Sequence, residues 1–280
     1  MTIPVPHDDG TRFVALADGG RIAYQSHGEG QSGIPILLLR PLGGSMALWG
    51  AFRETLATQF RVISFDYRGS GVSSEDPGWP TTRSLAQDAL AVLSALSIDR
   101  AHVFGISLGG MTASWLAIKE PPRVVRLCLA SAPARGIELS HAGMRRGAKM
   151  AVCFAKPDID VEASLVDRVL SHAFRREHPD EVRRIEATVR EHPASRTALL
   201  KHARAGALHD VSREVCVLRT PTLVLAGDHD SLLGTEAPRE LAAAMPAAQF
   251  EVMQGTGHDL TLEQPVATAE RVARFFREAP

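Results

Sequence analysis

The chain has 280 residues, long enough to bury a large core as one domain with an insertion or as two smaller ones. Its 31 lysines and arginines nearly balance 32 acidic residues, and the net charge of −1 gives no reason to expect nucleic acid or an anionic membrane as partner. The scattered Cys128, Cys153 and Cys216 make no disulfide framework or metal-binding spacing, the start MTIPVPHDDGTRFV is no secretory signal, and no run approaches the ~20 apolar residues that span a membrane, so a cytoplasmic protein is expected.

Residues 12–17 and 21–27 alternate around Asp18-Gly19-Gly20 and predict a hairpin. The apolar runs at 34–39, 61–65, 101–106, 124–131 and 222–226 have the pattern of strands buried on both faces, and 249–253 is a weaker strand. Helical spacing is found at 47–58, 82–96, 108–119 and 262–277. Buried strands alternating with amphipathic helices imply a mostly parallel sheet covered by helices on both faces. From about Pro133 to Arg219 the rhythm changes: helices are expected at 141–154, 161–173, 179–191 and 195–208, with no buried strand. The expected organisation is a core in two parts, 1–133 and 220–280, with a helical cap at 134–219 over the C-terminal edge of the sheet, where open α/β sheets bind ligands. Arginines recur in the insertion, Arg168 and Arg204 among them, interleaved with acids as on solvated helix faces, with an anion-binding patch as the lesser alternative.

The sharpest signal is Gly105-Ile106-Ser107-Leu108-Gly109-Gly110, a G-x-S-x-G string between a predicted strand and a predicted helix. Such a turn exposes a serine hydroxyl above the sheet and lets the Leu108 N–H face an oxyanion. A serine hydroxyl needs a base, and His258 in Gly255-Thr256-Gly257-His258 follows the last strand. Leu223-Val224-Leu225-Ala226-Gly227-Asp228-His229-Asp230 offers two acids; Asp230 has more chain in which to swing back toward His258, and Asp228 competes. In the loop Arg40-Pro41-Leu42-Gly43-Gly44-Ser45, Pro41 has no N–H, so Leu42 is the second candidate oxyanion donor.

These motifs together resemble the α/β-hydrolase superfamily over essentially the whole chain, including Asp66-Tyr67-Arg68-Gly69-Ser70-Gly71-Val72-Ser73 and Gly257-His258 with Glu263 and Pro265. The resemblance implies Asp230 as the acid and a structural role for the loop at 66–73. Many members carry His-Gly where this chain has Arg40-Pro41. That departure, with Pro41-Leu42-Gly43, Trp49, and the stretches 109–117 and 129–135, is similar to the 3-oxoadipate enol-lactonase branch and suggests an ester or lactone substrate.

Arg40 has two readings: a fork for a substrate carboxylate, or an ion pair with a neighbouring acid such as Asp66, unless its side chain reaches solvent. Trp49, Met144 and Phe154 are candidate substrate contacts, with helix-core packing as the alternative for the last two. The expected activity is acyl transfer to water through Ser107, His258 and Asp230. No metal or organic cofactor is implied. A small-molecule substrate is the expected partner, with a homodimer left open. A C–C bond hydrolase or perhydrolase on the same triad, and a hydrolase-like ligand-binding protein or receptor, are the competing readings.

Overall fold

Strands without a polar face need cover on both sides. The computed structural model, which describes residues 10–136 and 160–278, provides it. Eight strands form one sheet: β1 (Arg12–Ala15), β2 (Arg21–His27), β3 (Ile36–Leu39), β4 (Val62–Phe65), β5 (Ala101–Ile106), β6 (Val124–Ala130), β7 (Thr222–Gly227) and β8 (Ala248–Met253). Their spatial order is β1-β2-β4-β3-β5-β6-β7-β8. Pairs β1/β2 and β2/β4 are antiparallel, and β4 through β8 run parallel. This is the α/β-hydrolase fold expected from the sequence.

Side chains alternate across each strand, and the two core clusters divide accordingly. Leu37, Leu39, Val103, Leu127, Leu129 and Val224 face one side with helices α2 (Thr82–Ala95) and α3 (Leu108–Lys119). Ile36, Leu38, Phe104, Ile106, Cys128 and Leu223 face the other with α1 (Gly50–Ala57) and a C-terminal helix. Cys128 is thus a core residue, and burial pushes its thiol pKa well above the ordinary range.

Between β6 and β7 the described helices are α4 (Val161–Val169), α5 (His172–Glu177), α6 (Pro179–Glu191) and α7 (Arg196–Ala207). The helix expected at 141–154 lies outside the described residues. The helix expected at 161–173 is broken at Leu170, because the Ser171 hydroxyl accepts from the Phe174 N–H and starts a new one. Helix α8 (Glu236–Ala244) has no counterpart in the sequence-based expectation. Pro238 reads as a breaker, but it sits in the first turn, where an absent N–H costs no helical bond. The final helix divides into α9 (Leu260–Glu263) and α10 (Pro265–Arg277), since Pro265 starts a helix more readily than it continues one. Among the described residues no helix is long and apolar enough to cross a membrane.

The loop at 66–73 is a tie between elements. The Arg68 guanidinium bridges Asp88 of α2, at 3.0 Å from each oxygen, and Asp18 of the β1–β2 turn. Asp66 accepts from the Met46 N–H at 2.6 Å.

Helix α3 packs so closely on β3 that a Cβ on Gly109 would collide with the Leu39 carbonyl and stand 2.7 Å from that of Arg40. Both obstacles are backbone, so no side chain can yield. Gly109→Ala is expected to destabilise the fold by about 3 kcal/mol, the upper end of ordinary overpacking, as read from urea unfolding.

Candidate active site

The parallel strands deliver four loops to one rim of the sheet. They follow β3 (Arg40 to Ser45), β5 (Ser107), β7 (Asp228 to Asp230) and β8 (Gly255 to Asp259).

Ser107 ends β5 and caps α3 with φ 54° and ψ −116°, a conformation non-glycine residues rarely adopt. The turn is held by Ser107 N–H to the Ala130 carbonyl (2.9 Å) and Met111 N–H to the Ser107 carbonyl (3.0 Å). Gly105 must be glycine here, since a Cβ would strike the Gly109 carbonyl. Among the described residues the Ser107 hydroxyl has no hydrogen-bond partner, and it shares a cavity with His258.

His258 is 3% exposed, and its Nδ1 lies 2.8 Å from Asp230 Oδ2. The other Asp230 oxygen accepts from the Leu232 and Leu233 N–H groups at 2.8 and 3.0 Å. Burial alone would lower the imidazole pKa. The charge and hydrogen bond of Asp230, helped by Asp259, outweigh it and raise the value above the ordinary one. Burial likewise works against the Asp230 carboxylate, but His258 and the two N–H donors hold its pKa below the usual range. Asp230 is therefore the acid on the imidazole. Asp228 is exposed and accepts from the Thr256 N–H at 3.2 Å, a turn-tying role.

The Leu108 N–H opens α3 and has no carbonyl within the helix to bond. The Leu42 N–H donates to no backbone carbonyl among the described residues, while the turn it occupies is closed by Gly44 N–H to the Pro41 carbonyl at 3.1 Å. Leu42 and Leu108 both line the cavity with Ser107.

Arg40 and Trp49 do not line the cavity, against the expectation of substrate contact. Arg40 is 1% exposed, and its partner is Asp259 (Nη2 to Oδ2, 2.9 Å), not Asp66. It also donates from Nη1 to Thr261 Oγ1 at 3.2 Å. Trp49 is a core residue, its ring 4.5 Å beneath the guanidinium and 5.5 Å from the Phe52 ring. A long cation in a rim loop can reach inward as well as outward, and a buried carboxylate one residue beyond His258 draws it inward. Met144 and Phe154 lie outside the described residues.

The cavity has a volume of about 910 Å³ and a largely apolar wall that includes Met111, Leu165, Val169, Leu200 and Leu232. Its size suits a small organic molecule. Sequence reasoning missed three of its polar residues. Arg168 of α4 was grouped with solvated arginines but lines the cavity with no ion-pair partner among the described residues. Arg204 lies 5.5 Å from the ring of Trp79, which lines the cavity too. His202 is 1% exposed, and desolvation pulls its pKa down to about 4. Helical periodicity marks which faces are apolar, not which arginine faces a cavity.

A known family described as alpha/beta hydrolase fold matches residues 34–265. The 3-oxoadipate enol-lactonase 1 of Acinetobacter baylyi is 29% identical over 253 residues, covering 90% of this chain and 92% of that protein. A relative from Agrobacterium fabrum, named only provisionally as a carbamate hydrolase, is 26% identical over 266 residues, covering 91% and 98%. The solved enol-lactonase of Burkholderia xenovorans LB400 superposes with a TM-score of 0.86 at 25% identity, covering 95% of this chain and all of that one. The sheet order, the strained serine between β5 and α3, and the match over most of the sequence agree: the chain belongs to the alpha/beta hydrolase fold family.

Proposed function

We propose that the chain is a serine hydrolase that cleaves a carboxylic ester or lactone of a small molecule through an acyl-enzyme on Ser107. One observation carries this reading: Ser107, strained above the sheet, shares a cavity wall with an imidazole whose Nδ1 is fixed on Asp230. With Nδ1 committed as the donor to Asp230, Nε2 is left as the base that accepts the serine proton. The hydroxyl attacks the substrate carbonyl, and the proton passes to Nε2. The negative oxygen is met by the Leu42 and Leu108 N–H groups, the latter at a helix N-terminus that favours negative charge. The imidazolium returns the proton to the leaving alkoxide, and a water repeats the sequence to release the acid. In free hydrolases the serine–histidine contact is often loose and tightens with substrate, consistent with an unbonded Ser107 hydroxyl here.

The helices between β6 and β7 supply Leu165, Val169 and Leu200 to the cavity, which supports a role for 134–219 as a cap over a single core formed by 1–133 and 220–280. The names of the relatives point to lactone and carbamate carbonyls, both attacked by the same constellation. A fluorophosphonate probe followed by peptide mass analysis is expected to label Ser107. A panel of lactones, esters and carbamates is expected to give turnover on the esters and lactones. Labelling elsewhere, or turnover that is intact without Ser107, would remove this reading. A pure binding protein has no use for a matched base and acid, and would not be labelled.

A further inference from the structure

Arg40 stands immediately before the loop that holds the Leu42 N–H, and Asp259 immediately after His258. Their side chains are 1% and 0% exposed and meet at 2.9 Å, across 219 residues of sequence. The pair is braced on each side. Thr261 donates its hydroxyl to Asp259 Oδ1 at 2.6 Å and accepts from Arg40 Nη1, while the Asp259 N–H bonds the Val169 carbonyl of α4 at 2.9 Å. On the other side the 41–44 turn wraps the guanidinium so tightly that a Cβ on Gly44 would stand 2.9 Å from Arg40 Nε, and the Trp49 ring closes the space beneath. Burial disfavours the charge on Arg40 and leaves its pKa below the ordinary value, while the charge and hydrogen bond of Asp259 offset part of that effect.

We propose that the buried Arg40–Asp259 ion pair is a positioning device that locks the oxyanion loop to the histidine loop, fixing the Leu42 N–H and the His258 imidazole in one register. The proposal rests on the serine-hydrolase reading above. A stability role alone accounts poorly for the pair, since apolar residues of the same volume usually stabilise a core as well as or better than a buried ion pair. Two groups that must act on one carbonyl from different strands gain from a rigid link, because displacement of about 1 Å can cost about 10²-fold in rate.

The link is also electrostatic. The charged groups around the imidazole are Asp230 after β7, Asp259 with Arg40 from the β3 loop, and Glu263 of α9, which accepts from the Gly257 N–H at 3.1 Å. Arg135, Arg168, His202, Arg204 and Glu240 line the same cavity as His258. Asp259→Asn preserves the shape and strips the negative charge, leaving a guanidinium that does not lose its proton. The unbalanced cation then disfavours the imidazolium, and the acid limb of the kcat/KM profile moves to lower pH by about one unit.

The test compares wild type, Asp259→Asn and the paired Arg40→Met/Asp259→Leu, which refills the site with apolar atoms. Labelling of wild-type Ser107 by a fluorophosphonate comes first and decides the underlying reading separately. The paired variant is expected to keep its thermal midpoint within a few degrees, with kcat about 10- to 100-fold lower and KM within about threefold. Asp259→Asn is expected to shift the acid limb downward as above. Wild-type kcat in a folded paired variant, or an unmoved acid limb in Asp259→Asn, overturns the proposal. Should the paired variant fail to fold, the conservative Asp259→Asn decides alone.

Discussion

On the proposed serine-hydrolase mechanism, Ser107→Ala is expected to lower kcat/KM by about 10⁴- to 10⁶-fold, because a triad acts as one unit and loses its whole contribution with its nucleophile. Stability stays within about 1 kcal/mol. Among the described residues the Ser107 hydroxyl has no hydrogen-bond partner, so its deletion leaves none of them unsatisfied. Alanine also tolerates φ 54° about as poorly as serine does, so the strain is neither relieved nor increased. Steady-state hydrolysis and urea unfolding of the same preparation check both halves. A variant within tenfold of wild-type activity would remove Ser107 from the chemistry.

On the same proposed mechanism, Asp230→Asn is expected to cost about 10³- to 10⁴-fold in kcat, through the tautomer of His258. An asparagine oxygen is drawn to the Leu232 and Leu233 N–H groups, which turns its amide nitrogen toward Nδ1. Nδ1 must then accept, the proton moves to Nε2, and the base can no longer take the serine proton. Loss of the carboxylate also removes the strongest charge favouring the imidazolium, so the acid limb of kcat/KM moves to lower pH. The sign for folding follows from the same shifts. The raised His258 value stabilises the native state below about pH 6.5, and that support fades as pH rises through the native value. The lowered Asp230 value contributes above about pH 3.9 and is lost as pH falls through its native one. The pair therefore supports folding most between those ranges, and Asp230→Asn flattens the dependence there, as thermal unfolding across pH would reveal.

The hairpin, the six buried or half-buried strands that follow it, and the helices at 82–95 and 108–119 were legible because their signals are local. A continuous apolar run, a helical spacing of apolar residues or a G-x-S-x-G turn is written in neighbouring residues. The helix at 236–244 was not, because a proline in the first turn and one in the middle look alike until the helix start is known. The candidate triad was legible for a different reason: fixed crossover handedness carries the ends of parallel strands to one rim, so loops distant in sequence converge.

What the sequence by itself determined is therefore the fold and the serine turn, which follow from periodicity and from residues adjacent in the chain, and the acid and base candidates, which follow from strand order and family resemblance. What only the tertiary structure decided is where the long side chains go. Arg40 turned inward to Asp259 and Trp49 beneath it, while Arg168 and His202 came to line the cavity. An arginine spans several ångströms with many rotamers, and the choice among burial, ion pair and cavity is made by partners from elements that lie far apart in sequence.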